Sequence, residues 1–128
     1  MLRATIAVVV GIVVWGLCAQ ALDVLLRFAV PGYALAEPTL AFTLPMMLAR
    51  LALPGAVPTV CAGLACAWMG QGARGAVTVL AIFLVLPFAW VHYHLWDRFP
   101  AWYHLTFLVS LAILPFLGAA LAPRRKPT

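Results

Sequence analysis

The sequence contains no asparagine and a single serine, Ser110. Three residues of 128 are acidic, Asp23, Glu37 and Asp97, and Lys126 is the only lysine. Charged residues make up 9% of the chain and hydrophobic ones 66%, where a soluble domain carries about 25% and about 45–50%. A water-soluble globule of this size needs a polar skin, and so few polar side chains cannot supply one. Lipid is the solvent that suits this surface.

The scarcity extends to chemistry. The three cysteines, Cys18, Cys61 and Cys66, lie inside apolar runs and form neither a C-x-x-C pair nor a C-x-x-C-H haem-attachment motif. They read as small buried hydrophobes, and a disulfide framework is not expected. There is no phosphate-cradling glycine loop, no G-x-G-x-x-G, no H-E-x-x-H and no G-x-S-x-G. These absences point away from an enzyme. No apolar run carries a central Asp or Glu, which argues against a proton-coupled small multidrug exporter. The net charge of +5 does not indicate nucleic acid, because the cations are dispersed between apolar runs instead of clustering on one soluble face.

What the chain does have is long hydrophobic runs. Crossing about 30 Å of hydrocarbon takes about 20 apolar residues at 1.5 Å of rise each. Four runs meet that length, at about residues 4–22, 44–70, 76–96 and 101–121. The fold expected is an all-α integral membrane protein. It is a single transmembrane domain over residues 1–128, a bundle of four transmembrane helices kinked by prolines. The first run also has the look of a secretory signal, with Arg3 before an apolar stretch and Ala19-Gln20-Ala21 as an A-x-A cleavage pattern. Whether residues 1–21 are cleaved stays open at this level.

Residues 28–43 contain Pro31, Gly32, Glu37 and Pro38 and read as an outer loop or a helix lying in the interface. An alternative uses residues 28–49 as a fifth span. It places Glu37 in mid-membrane and the basic tail opposite Arg3. The second run is interrupted by Pro45, Pro54 and Pro58, and Pro87 and Pro115 fall within the last two.

With four spans, one side of the membrane holds Arg3, Arg74, Arg124, Arg125 and Lys126. The other holds Asp23, Arg27, Glu37, Asp97 and Arg98. Lys and Arg in short loops mark the cytoplasmic side, so both termini are expected there. Seven arginines against one lysine, with abundant Ala, Gly and Pro, suggest a GC-rich bacterial genome and hence the bacterial inner membrane.

Three features are candidate sites. Gly55, Thr59, Gly63 and Ala67 recur every four residues. Such a small-residue stripe lets helix backbones approach closely, either within the chain or between copies. Arg50 is an ionisable group within a span, a functional-site hypothesis by default. It has Asp23, Glu37 or Asp97 as expected partners, or an anionic headgroup or substrate. Finally, His92, His94, Asp97 and His104 lie in one aromatic-rich stretch at the outer face. An aromatic belt is the plainer reading. A metal site, or haem held by His94 and His104, is the sharper one. His92 and His94, two apart on a helix, point to different faces.

The function expected is that of a small structural or accessory membrane component, with the lipid bilayer and either a second copy or another membrane protein as partners, and no cofactor. The alternatives are a transporter or channel component using Arg50 and the proline-broken second span, and a metal- or haem-binding membrane subunit using the histidines.

Overall fold

The computed structural model describes residues 1–71 and 74–124. Gly72 and Ala73 of the polar turn, and Arg125 and Lys126 of the basic tail, lie outside them. Among the described residues the regular structure is all helical. Helix α1 spans Leu2–Ala29, α2 Tyr33–Ala36, α3 Leu44–Arg50, α4 Val57–Met69, α5 Arg74–His94 and α6 Ala101–Leu121. Four stretches are long and apolar enough to cross a membrane: Leu2–Ala29, Leu44–Met69, Gly75–His94 and Ala101–Leu121.

The first helix runs seven residues past the expected end at residue 22, through Ala29. Asp23 and Arg27 pair across one turn at 3.1 Å, which lets a helix carry charge beyond its apolar stretch. Residues 28–49 do not form one continuous helix. The chain turns at Gly32, whose φ of 79° suits a residue without a Cβ. It then makes the single turn of α2 and a 3₁₀ turn at Glu37–Thr39 before α3 begins. This loop is packed: Tyr33 is fully buried.

The second membrane-length stretch is composite. Between α3 and α4, Leu51–Ala56 forms a π-helical turn with Pro54 inside it. Pro54 and Pro58 lack the N–H groups that an α-helix would direct to carbonyls four residues back. The chain responds with a wider ring, the Val57 N–H donating to the Ala52 carbonyl five residues back. By contrast, α5 and α6 run on through Pro87 and Pro115.

Helix α4 packs mainly against α1 and α6, and α5 closes the bundle against both. The core is small-to-large: Ala7, Ala62, Cys66, Ala67 and Ala76 interleave with Val8, Val77, Leu80, Leu84 and Leu111. The α4–α6 seam is the tightest. A Cβ added to Gly63 would overlap the Pro115 carbonyl oxygen, and one added to Gly118 would overlap that of Val60. Close packing of this kind supplies the association energy that hydrophobicity cannot supply in lipid. Gly55, Thr59, Gly63 and Ala67 are all buried, so the small-residue stripe is used within the chain.

Candidate functional site

Among the described residues, one end of the bundle gathers a connected cluster of polar side chains. The end of α1 brings Asp23 and Arg27, the loop brings Tyr33 and Glu37, and the last turn of α3 brings Arg50. Arg27 grips the Glu37 carboxylate with both arms of its fork, Nε at 2.8 Å and NH2 at 2.9 Å. It also meets the second oxygen of Asp23. The buried Tyr33 hydroxyl donates to Asp23 Oδ1 at 2.9 Å and accepts from Arg50 NH1 at 2.8 Å. Arg50 itself is 3.6 Å from Asp23, beyond hydrogen-bond length. Its guanidinium lies over the Phe42 ring, 5.1 Å from the centroid, a cation–π placement. Two cations face two carboxylates, so the cluster is neutral as a whole.

Burial sets the chemistry of the tyrosine. It pushes the Tyr33 phenol from its ordinary value near 10 up to about 12, against the opposing pull of the Arg50 charge. The hydroxyl therefore keeps its proton across the physiological range and remains both donor and acceptor.

Beneath this cluster lies an open-sided cavity of about 410 Å³, lined by Trp15, Gly16, Ala19, Gln20, Asp23, Arg50, Pro54, Gly55, Phe88 and Phe107. That volume is within the range of small-molecule sites, about 300–1,000 Å³. The π turn carries Pro54 and Gly55 on its wall. Irregular backbone at membrane depth is tolerated where it lines a cavity, and π turns recur at functional sites. The far wall is held by the Trp15 indole N–H donating to Thr59 Oγ1 at 3.0 Å, and Thr59 in turn donates to the Gly55 carbonyl at 2.7 Å. An aromatic file, Trp15–Phe88–Phe107, completes it with centroid separations of 4.8 and 5.4 Å.

The histidines divide. His92 on α5 and His104 on α6 are both buried, and their Nδ1 atoms are 2.7 Å apart. His104 Nε2 faces the Trp96 carbonyl at 3.2 Å. A carbonyl only accepts, so that nitrogen carries the proton. In the neutral pair, His104 Nδ1 is then the acceptor and His92 Nδ1–H the donor. The Phe107 ring stacks on His92 at 4.7 Å.

His94 is turned about 200° from His92 around the helix and is exposed, donating from Nδ1 to the Trp90 carbonyl at 3.0 Å. Asp97 is exposed on the turn between α5 and α6. The predicted ligand set is thus not brought together. Among the described residues no group of three His, Cys, Asp or Glu side chains is placed to hold a metal ion. The touching nitrogens of His92 and His104 leave no room for an ion between them, since each bond to zinc needs about 2.0–2.1 Å. His94 is exposed, while His104 is buried with both ring nitrogens engaged by His92 and the Trp96 carbonyl.

Arg50 finds Asp23, one of its three expected partners. The sequence reasoning missed Tyr33, which joins them, and Trp15, Phe42 and Phe107. It also missed Gly118, the counterpart of Gly63. A signal for the last was present, because Gly118 and Ala122 are two small residues four apart at the end of α6. No family model matches the chain, and no curated protein or solved structure is significantly similar to it.

Proposed function

We propose that this chain is a multi-pass protein of the bacterial inner membrane. In this reading both termini are cytoplasmic, prolines 54, 87 and 115 bend its helices, and it serves as a structural or accessory component that packs against partner helices. The observation that carries the reading is the disposition of α1. Only 17% of its most apolar window is buried in the bundle, while Val9, Val13 and Leu17 stand exposed. The small-residue stripe is meanwhile spent on intramolecular packing. An outward helix of this kind is available to lipid and to a partner.

The orientation is supported by the charge distribution. Arg3 lies beside Gln71 at the end opposite the Asp23–Arg27–Glu37 cluster, its NH1 donating to the Gln71 side chain at 2.8 Å. In the four-span reading Arg3 shares its side with Arg74, Arg124, Arg125 and Lys126, against Arg27 and Arg98 in the segments at the other, so the excess of cations falls on the Arg3 side.

The test is photo-crosslinking in cells from Val13 and Leu17 on α1, with Val109 on α6 as the comparison. A discrete adduct from α1 sites alone, either with one partner or with a second copy, is the expected outcome. Lipid adducts alone from every site would overturn the accessory role.

A second reading is favoured by one specific observation, the cavity against Arg50 and the π turn: a component of a small transporter or channel. Its test is solute flux in reconstituted vesicles, which Arg50→Ala should reduce.

A further inference from the structure

We propose that the cavity under Tyr33 and Arg50 is a binding site for a single-chain amphiphile with an oxyanion head, carboxylate or phosphate. The inference goes beyond the accessory role and shares with the second reading the cavity and Arg50.

The head follows from Arg50. Its guanidinium is held by the Tyr33 hydroxyl at 2.8 Å, meets the buried Tyr103 phenol as well, and lies over Phe42. Asp23, its nearest carboxylate, is committed at both oxygens, one to Arg27 and one to Tyr33, and stays 3.6 Å away. Glu37 is taken by Arg27. Arg50 is therefore a fixed cation with a loosely engaged counter-charge on the wall of a cavity. A guanidinium fork in a partly desolvated setting pairs best with a carboxylate or phosphate, which it can bind through two parallel N–H groups. Because Tyr33 and Tyr103 hold the guanidinium, little ordering is required when an anion arrives.

The tail follows from the depth. Trp15 lies eight residues before Asp23 on α1, so the cavity reaches about 12 Å from the charged cluster toward mid-membrane. Apart from Gln20, the walls below Arg50 are apolar, with Trp15, Phe88, Phe107 and Pro54, a lining for hydrocarbon. Gly16 leaves it open, because a Cβ there would meet nothing within 4 Å. The volume of about 410 Å³ suits one chain and not a two-chain lipid body, although one chain of a lipid can enter with its headgroup at Arg50.

Trp15 makes the site observable. A variant keeping Trp15 and carrying Phe at the other four tryptophan positions is titrated with brominated decanoate, a heavy-atom quencher. Parallel samples in nanodiscs carry brominated phosphatidylglycerol or brominated phosphatidylcholine. Saturable quenching by decanoate is expected, with affinity reduced about tenfold or more in Arg50→Gln and likewise in Gly16→Leu, which puts a bulky side chain on the cavity wall at a position where a Cβ meets nothing within 4 Å. Quenching by phosphatidylglycerol but not by free decanoate supports the same site with a lipid headgroup as its source. Equal quenching by phosphatidylcholine and phosphatidylglycerol, unchanged in both variants, overturns the proposal, since the cavity then holds only bulk lipid. Gly16→Leu keeps the test decisive if Arg50→Gln does not fold. The quenching titration reads binding alone and the vesicle assay reads flux, so saturable binding with no Arg50-dependent flux removes the transport reading and leaves this inference standing.

Discussion

The Tyr33 hydroxyl stands between a carboxylate and a guanidinium, and its proton determines whether the cluster holds. Burial raises its pKa from near 10 to about 12 in the folded protein. The folded state thus favours the protonated phenol more than the unfolded chain does. Its contribution is complete below pH 10 and is lost as the pH rises from about 10 to about 12. Above that window a phenolate would face Asp23 across a 2.9 Å contact. Thermal unfolding in detergent across this window should show an alkaline loss of stability in the wild type. In Tyr33→Phe the loss tied to this window should be absent, at the cost of a lower baseline at neutral pH. An identical alkaline profile for the two proteins would show that Tyr33 does not govern it.

Among the elements, the α4–α6 seam depends on two glycines that face carbonyl oxygens of the opposite helix. Gly63→Ala or Gly118→Ala must push the helices apart, because backbone atoms cannot rotate out of the way as a side-chain tip does. Each substitution should destabilise by about 1–3 kcal/mol, the usual range for overpacking. Gly75→Ala is the control: its added Cβ meets nothing within 4 Å, and alanine favours a helix over glycine by about 0.5–1 kcal/mol. Midpoints of thermal unfolding measure all three, and equal effects at 63 and 75 would refute the seam. The π turn belongs to the same scale. It adds a residue to a helix that already lacks donors at Pro54 and Pro58, and it sets the angular offset between Arg50 and Thr59, which both border the cavity region.

For the molecule as a whole, the polar end and the opposite end differ in how their charge is compensated. At the polar end Arg27 and Arg50 are matched by Asp23 and Glu37. At the other, Arg3 has the neutral Gln71 as its side-chain partner. If the second end is cytoplasmic, a cysteine introduced by Pro38→Cys, with the three native cysteines replaced by Ala, reacts with a membrane-impermeant maleimide on intact cells. One introduced by Gln71→Cys reacts only after permeabilisation. The opposite labelling pattern would invert the proposed orientation.

Composition and run length alone determined that the chain is helical and has four membrane-length stretches, because hydrocarbon thickness and helix rise fix the length of a span. The i, i+4 spacing of Gly55, Thr59, Gly63 and Ala67 marked a packing face for the same reason, since helical periodicity is local. Partners were not legible. That Gly63 meets Pro115, that His92 pairs with His104 while His94 faces outward, and that Tyr33 joins Asp23 to Arg50 all depend on how the helices are rotated and how far each is offset along the bundle. Those offsets come from the fit of small residues against facing backbones and from the extra residue in the π turn. Both are relations between segments far apart in the chain, so only the tertiary structure decided them.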